Sequence, residues 1–342
     1  MMHARPHQCR RQDGLTLIEL LVAMTIGLVV TIAALSMLMM GRTGYTAVDA
    51  TTQLIDKERF AVDIMTRVIA QAGFEDYGAP TLMTRAVAQK QHLDPEPDIF
   101  GWNNTIYANP PSAAAVTQTT LMADGDRPGQ CTVTDTSCLS GSDVLMVRFQ
   151  GVDGTPTLAD LSMINCRGHG EPAPKDNDFD NRAMNFFFIA RNDKTGEPSL
   201  SCATYNPAAP SNKFSNEALL EGVEALQVLF GTDNVTPNQV PAVAGTDTIT
   251  DRWLRADELK VPGNPAATSE NFRRVRAVRV GLVLRGPPGS AQDRNPMSLA
   301  PLGSPTYVAT GDAGSHLNVA GDGRLRRVVT FTVHIRNELG LK

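Results

Sequence analysis

The chain has little of what an enzyme needs. No G-x-S-x-G, H-E-x-x-H or phosphate-cradling glycine loop occurs in its 342 residues, so a catalytic reading has no positive support. It has no excess of basic residues. Thirty-one Lys and Arg face 36 Asp and Glu, for a net charge of −5, which argues against a global nucleic-acid footprint. There is no internal repeat. There is no βαβ alternation, so a parallel sheet is not expected. Cysteine is sparse, with five in all and none in a C-x2-C pair. Finally, no charged residue interrupts the stretch from Leu20 to Met40.

That last absence defines the N-terminal region. Twenty-one uncharged residues at about 1.5 Å per residue reach roughly 30 Å, the depth of one bilayer core. Arg5, Arg10 and Arg11 precede the run, with only Asp13 against them. The positive-inside rule then places the N-terminus in the cytoplasm and residues 42–342 outside. Cys131, Cys138, Cys166 and Cys202 all fall in the outside portion, while Cys9 precedes the apolar run. Four cysteines in an oxidising compartment fit two disulfides. The most local pairing is Cys131–Cys138 with Cys166–Cys202, contributing about 2.5 and about 4 kcal/mol by loop closure. A metal site is the competing reading, and the spacings lack the knuckles of zinc sites. Neither a metal nor a cofactor is expected.

An ordinary secretory signal puts its small-residue cleavage site after the apolar stretch. Here Gly14 comes before it, directly after the basic leader. A cut at Gly14 would remove the leader and leave the hydrophobic helix on the protein. The segment Gly14-Leu15-Thr16-Leu17-Ile18-Glu19-Leu20-Leu21-Val22-Ala23 resembles the processing motif of type IV prepilins and type II secretion pseudopilins. The resemblance implies cleavage by a prepilin peptidase between Gly14 and Leu15, N-methylation of Leu15, and an assembly role for Glu19. The family's usual first mature residue is Phe, and this chain has Leu. A carboxylate near an apolar helix costs roughly 2.5–3.5 kcal/mol at membrane mid-depth and less near the interface. Glu19 therefore calls for a cation, and the free amine of Leu15, in its own chain or a neighbour's, is the candidate.

Beyond Gly41-Arg42-Thr43-Gly44, where bends are expected, no proline occurs until Pro80. Val48, Ile55, Val62 and Ile69 recur every seven residues, with Met65 and Ala72 beside them. This predicts an amphipathic helix docked through that stripe on a globular domain. Gly73 is its stop, giving a helix over 15–72 about 85 Å long. Strands are predicted over 143–149, 185–190, the second half of 217–230, 275–285 and 326–336. A Gly/Pro-rich loop fills 286–325. The expected fold is α+β: a long N-terminal transmembrane and stalk helix packed on an antiparallel β-sheet, a pilin-like roll with long disulfide-bearing loops. The segments are a 1–14 leader, a 15–40 membrane and filament-core helix, a 41–73 amphipathic stalk and a 74–342 globular domain.

The distal part narrows the resemblance. Glu221-Gly222-Val223-Glu224-Ala225-Leu226-Gln227-Val228, Val275-Arg276-Ala277-Val278-Arg279-Val280, Arg326-Arg327-Val328-Val329-Thr330-Phe331 and Ile335-Arg336-Asn337 resemble the PilW group of minor pilins, which is similar to the J-type pseudopilins. Arg59-Phe60-Ala61 through Gln71-Ala72-Gly73-Phe74 matches that group's stalk. The resemblance implies a minor pilin that helps initiate or cap a type IV pilus at its tip. Its partners would be prepilin peptidase, other minor pilins, the major pilin, the inner-membrane assembly platform and, before assembly, membrane lipid. A secretion-filament pseudopilin, or a tip adhesin or DNA-uptake receptor, is the alternative.

Other constellations read as structural. Asp176-Asn177-Asp178-Phe179-Asp180 has calcium-loop spacing but lacks the glycine and the glutamate such a loop needs. Asp124-Gly125-Asp126 and Gly321-Asp322-Gly323 read as turns, and His169 and His334 as residues without a catalytic partner. Arg273, Arg274, Arg276, Arg279, Arg324, Arg326 and Arg327 could form a basic band or, as preferred here, a solvated set of edge charges.

Overall fold

The computed structural model describes residues 14, 16–75, 97–107, 140–155, 158–173, 182–205, 214–242, 247–303, 307, 312 and 314–337. The chain divides into two compact units, Met1–Asp49 and Ala50–Lys342. One helix, α1 (Leu17–Ala70), begins in the first and ends in the second. It continues through Gly41 and Gly44 without a break, because a single glycine costs only about 1 kcal/mol against Ala.

The second unit is built on two antiparallel sheets. The first has five strands in the order β1 (Ile99–Trp102), β2 (Val144–Phe149), β5 (Ala183–Arg191), β6 (Pro198–Tyr205) and β7 (Phe214–Glu221). The second has four, in the order β13 (Arg326–His334), β10 (Val275–Arg285), β8 (Val223–Thr232) and β9 (Arg252–Leu254). Small hairpins pair β3 (Asp153–Thr155) with β4 (Leu158–Ala159), and β11 (Met297–Leu299) with β12 (Leu317–Val319). A single turn, α2 (Ala256–Leu259), and a helix, α3 (Pro265–Arg273), lie between β9 and β10. Asn264 caps α3 by accepting from the Ala267 N–H at 3.1 Å, and Pro265 occupies the first turn, where no amide is needed.

The segment expected to be one strand after a turn is two. β7 and β8 belong to different sheets, and Gly222 turns the corner between them at φ +83°. A Cβ there would stand 2.8 Å from the Arg285 carbonyl oxygen, so both the dihedral and the space require glycine. The 286–325 loop carries β11 and β12 and straps the outer face of the four-stranded sheet. A Cβ on Gly281 would lie 2.3 Å from the Pro301 carbonyl oxygen, and the Thr330 hydroxyl donates to that oxygen at 3.3 Å.

The sheets are joined by core and by backbone. Phe100, Phe272 and Phe230 pack in succession, the first pair tilted and the second edge to face, with ring centroids 4.0 and 5.5 Å apart. Asp143, fully buried at the start of β2, donates its N–H to Leu226 O at 2.8 Å. Its carboxylate accepts from the amides of Asn104 and Val228 at 2.9 and 2.7 Å. Burial pushes this carboxyl well up, and the two amide bonds pull it back.

The face of α1 that enters the core coincides with the predicted stripe only in its C-terminal part. Leu54, Ala61, Met65, Val68, Ile69 and Ala72 are buried, whereas Ile55 and Val62 are half-buried and Val48 is 67% exposed. Of the expected stripe, Ile69, with Met65 and Ala72 beside it, is buried, and half-buried Val62 packs against the core. The helix end is fastened by polar clamps. The Gln71 amide makes two bonds of 2.8 Å with the backbone of Ile164, and the Asn337 amide donates to Ala70 O and Ala72 O.

Candidate functional site: the helix start and the braced loop

Two regions carry the sequence-derived candidates. The first is the start of α1. Thr16 and Glu19 form a reciprocal cap, in which the Glu19 carboxylate accepts from the Thr16 N–H at 3.0 Å and from the Thr16 hydroxyl at 2.8 Å. The Glu19 N–H donates back to that hydroxyl at 3.4 Å. This satisfies donors that a helix start leaves open and sets an acid against the positive end of the helix dipole. Reading Glu19 only for its charge overlooks Thr16. The signal was present as the Thr-x-x-Glu spacing of a capping box.

Gly14 lies two residues before this cap, exposed, and a Cβ there would meet nothing within 4 Å. Among the described residues, nothing in the packing requires glycine at that position. Leu15 lies outside the described residues. From Leu17 to Met40 the helix is apolar and bare. Leu17, Met37 and Met40 are each more than 75% exposed, and mean hydropathy in its most apolar window is 2.4. Its few hydroxyls are satisfied within the helix: Thr25, Thr31 and Ser36 donate to the carbonyls of Val22, Leu28 and Ile32, each at 2.8 Å. Back-bonding of this kind leaves no free hydroxyl proton facing an apolar environment. Such a helix must be covered by lipid or by other helices.

The second region is the loop that brings Cys166 to Cys202. These two cysteines are bonded, both fully buried, with Cα atoms 6.3 Å apart. The bond fastens residues 158–173 to β6. The same loop is held to α1 by the Gln71 clamp and to β7 by the Arg167–Glu217 ion pair at 2.8 Å. Glu171 within it accepts from the Asn165 amide at 2.7 Å, and burial pushes its carboxyl up to about 7. Cys131, Cys138, Asp124–Asp126 and Asp176–Asp180 lie outside the described residues. Among the described residues, no group of three His, Cys, Asp or Glu could hold a metal ion.

The arginines do not form an open basic band. Arg324 pairs with Glu197 at 3.1 Å, and Arg326 with Glu224 at 2.6 Å and Asp322 at 2.8 Å. Arg273 pairs with Glu270 at 3.3 Å and Arg276 with Asp233 at 3.4 Å. Arg274 donates to Ala242 O, and Arg327 pairs with Glu58. Arg279 stacks on Trp253, 4.2 Å from its ring centroid. His169 is exposed in the braced loop, and His334 is exposed on β13.

Comparison with known families agrees with both ends of the chain. Residues 186–337 match the family model of the type IV pilus-assembly protein W, and residues 9–35 match that of the prokaryotic N-terminal methylation motif. The chain is PilW-like and carries a prepilin methylation motif. No curated protein matches the sequence. Among solved structures it is similar to the type IV-like pilin TTHA1219 from Thermus thermophilus, at 12% identity and a TM-score of 0.38, over 83% of this chain and 96% of that one. The PilW match begins within β5 and ends after β13, so it takes in the β7–β8 corner, the four-stranded sheet and its strap. The methylation-motif match takes in Gly14, the Thr16–Glu19 cap and most of the bare helix.

Proposed function

We propose that this PilW-like chain is a minor pilin that helps initiate or cap a type IV pilus at its tip. The observation that carries the reading is the bare apolar helix, which starts at a built cap two residues after a glycine that no packing among the described residues requires. In this reading prepilin peptidase cuts between Gly14 and Leu15, and Leu15 is then N-methylated. The helix holds the precursor in the inner membrane with the N-terminus cytoplasmic and the domain periplasmic. Assembly moves that helix from lipid into the company of other minor pilins and the major pilin, on the inner-membrane platform. Glu19 accepts the charged amine of an adjacent subunit, because a carboxylate is desolvated favourably only with a cation beside it. The pilus-assembly match supports a pilus over a secretion filament, and among the described residues the candidate arginines are paired, stacked or hydrogen-bonded rather than free for a polyanion.

Processing tests the reading directly. Gly14→Val adds bulk where the peptidase must accommodate the chain and meets no obstacle among the described residues. The variant is expected to remain as a precursor, heavier by the leader, on a blot of whole cells. Mature-sized protein from Gly14→Val would sink the prepilin assignment.

A further inference from the structure

The end of α1 and the disulfide-bonded loop meet at Ile164. The Gln71 side-chain amide donates to Ile164 O and accepts from the Ile164 N–H, each at 2.8 Å. Cys166 follows two residues later, so at roughly 3.5 Å per residue the clamp and the disulfide stand within about 7 Å of chain. What joins them is stiff. Asn165 Oδ1 accepts from the amides of Arg167 and His169 at 2.9 and 3.0 Å, and the Asn165 N–H donates to His169 O at 2.8 Å. Ile164 bridges to Gly170, and the Glu171 N–H donates to Met163 O at 2.9 Å. Residues 163–171 therefore move as one body that carries both Cys166 and the clamped Ile164.

That body is tied to the five-stranded sheet by the bond to Cys202 on β6, by the Cys166 N–H donating to Asn185 Oδ1 on β5 at 2.8 Å, and by the Arg167–Glu217 pair. The Glu217 side chain is half-exposed, so this pair contributes little. The disulfide is the covalent tie, and both of its cysteines are fully buried. The helix end depends on what clamps it. The amides of Gln71, Ala72 and Phe74 bond three residues back, at 3.2, 3.1 and 3.0 Å, in the tighter and weaker geometry of a closing turn. Outside the loop, that turn is held by the Gly73 N–H on Arg148 O and by the Asn337 amide.

We infer that the Cys166–Cys202 bond is a redox latch: it fixes the loop body and, through Gln71, seats the end of the stalk helix. Closing it is thiol–disulfide exchange. The two thiols pass two electrons and two protons to a disulfide oxidant such as oxidised glutathione, which leaves as two thiols while the protein S–S bond forms. Seating of the helix end is thereby tied to arrival in an oxidising compartment. The inference uses contacts within the second unit alone and does not depend on the filament reading.

Such coupling is reciprocal, so the clamp must favour the disulfide by the same factor that the disulfide favours the clamp. The full-length protein in detergent is equilibrated with graded mixtures of reduced and oxidised dithiothreitol. Thiols are then trapped, and the Cys166 and Cys202 peptides are quantified by mass spectrometry. Gln71→Ala is expected to shift the equilibrium toward the dithiol by about fivefold or more. Asn337→Ala, which removes the other side-chain clamp without touching the loop, should leave that equilibrium unchanged. Hydrogen exchange on the same samples should quicken at amides 71–74 when Cys166 and Cys202 are reduced, while β10 and β13 keep their protection. Equal redox equilibria for Gln71→Ala and the parent, or unchanged exchange at 71–74 on reduction, would overturn the latch. An equal shift in Asn337→Ala, or a loss of protection in β10 and β13 together with 71–74, would overturn it as well, because the whole domain would then be responding.

Discussion

Glu171 occupies a place where burial opposes its charge and a single amide, from Asn165, favours it. Its folded pKa of about 7 lies above the ordinary value of 4.5. Between those values the native state binds more protons than the unfolded chain, so stability falls as pH rises through this window. Below it the penalty is absent, and above it the penalty is complete, on the order of 2–3 kcal/mol. Glu171→Gln keeps an oxygen for Asn165 and carries no charge. It is expected to be more stable than the parent at pH 8 and nearly equal to it at pH 4, in urea melts at both pH values. Equal stability of the two proteins at pH 8 would show that Glu171 is solvated. At the other end of the chain, Glu19 has a capping duty and a proposed pairing duty. Loss of the cap costs about 1 kcal/mol and is confined to the first turn. Glu19→Ala is expected to be cleaved and retained in the membrane at normal levels, yet to give few surface pili. Thr16→Ala separates the duties. It removes the hydroxyl from the cap but leaves the carboxylate, so piliation counted beside a blot should fall much less than in Glu19→Ala. Equal loss in both variants would reduce Glu19 to a capping residue.

The elements illustrate how close approach replaces side-chain bulk. The strap over β10 rests its Pro301 carbonyl against Gly281, and the Thr330 hydroxyl holds that carbonyl from β13. Gly281→Val would push the strap off the sheet, at a cost of about 1–3 kcal/mol for overpacking against backbone. A shifted denaturation midpoint is the readout. Thr330→Val, which removes only one 3.3 Å bond, should shift it by less. A Gly281→Val protein as stable as the parent would mean the strap is not seated on the sheet. The sequence showed β10 and β13 clearly, because their alternating apolar residues have the period of a half-buried strand. It did not show that the Gly/Pro-rich connection between them is a packed layer, since that layer is held by backbone approach at glycines rather than by an apolar pattern.

At the scale of the molecule, the two compact units have opposite surfaces. The second unit has its own core, its own disulfide and ion pairs across its strand ends, whereas the described residues of the first are almost all a bare helix. Residues from 50 onward are therefore expected to be soluble without detergent and to melt cooperatively, and the full chain should need detergent. Aggregation of the 50–342 fragment under conditions where the full chain is monodisperse in detergent would show that the apolar helix completes the domain. Both outcomes are read by size-exclusion chromatography and thermal melts.

The sequence by itself determined the start of the protein. Three arginines ahead of Gly14, then Glu19 and an uncharged run, are local in the chain, and the proposed processing rests on their one-dimensional order. It also determined the main strands and the presence of the stalk helix, because period and polarity are local. Only the tertiary structure decided which face of that helix is buried. Ile55 and Val62 repeat as regularly as a core stripe would, and Leu54, Ala61 and Met65 are no more apolar. What distinguishes the faces is the surface that each meets, which depends on how β8, β10 and β13 bring distant residues together. The sequence had pointed to Cys166 with Cys202 as the most local pairing, and that bond forms, but Gln71 with Ile164 and Asp143 with Val228 were decided by the tertiary structure alone. Each of these last two pairs is separated by tens of residues, and no local pattern records a contact that forms only when the sheets close on one another.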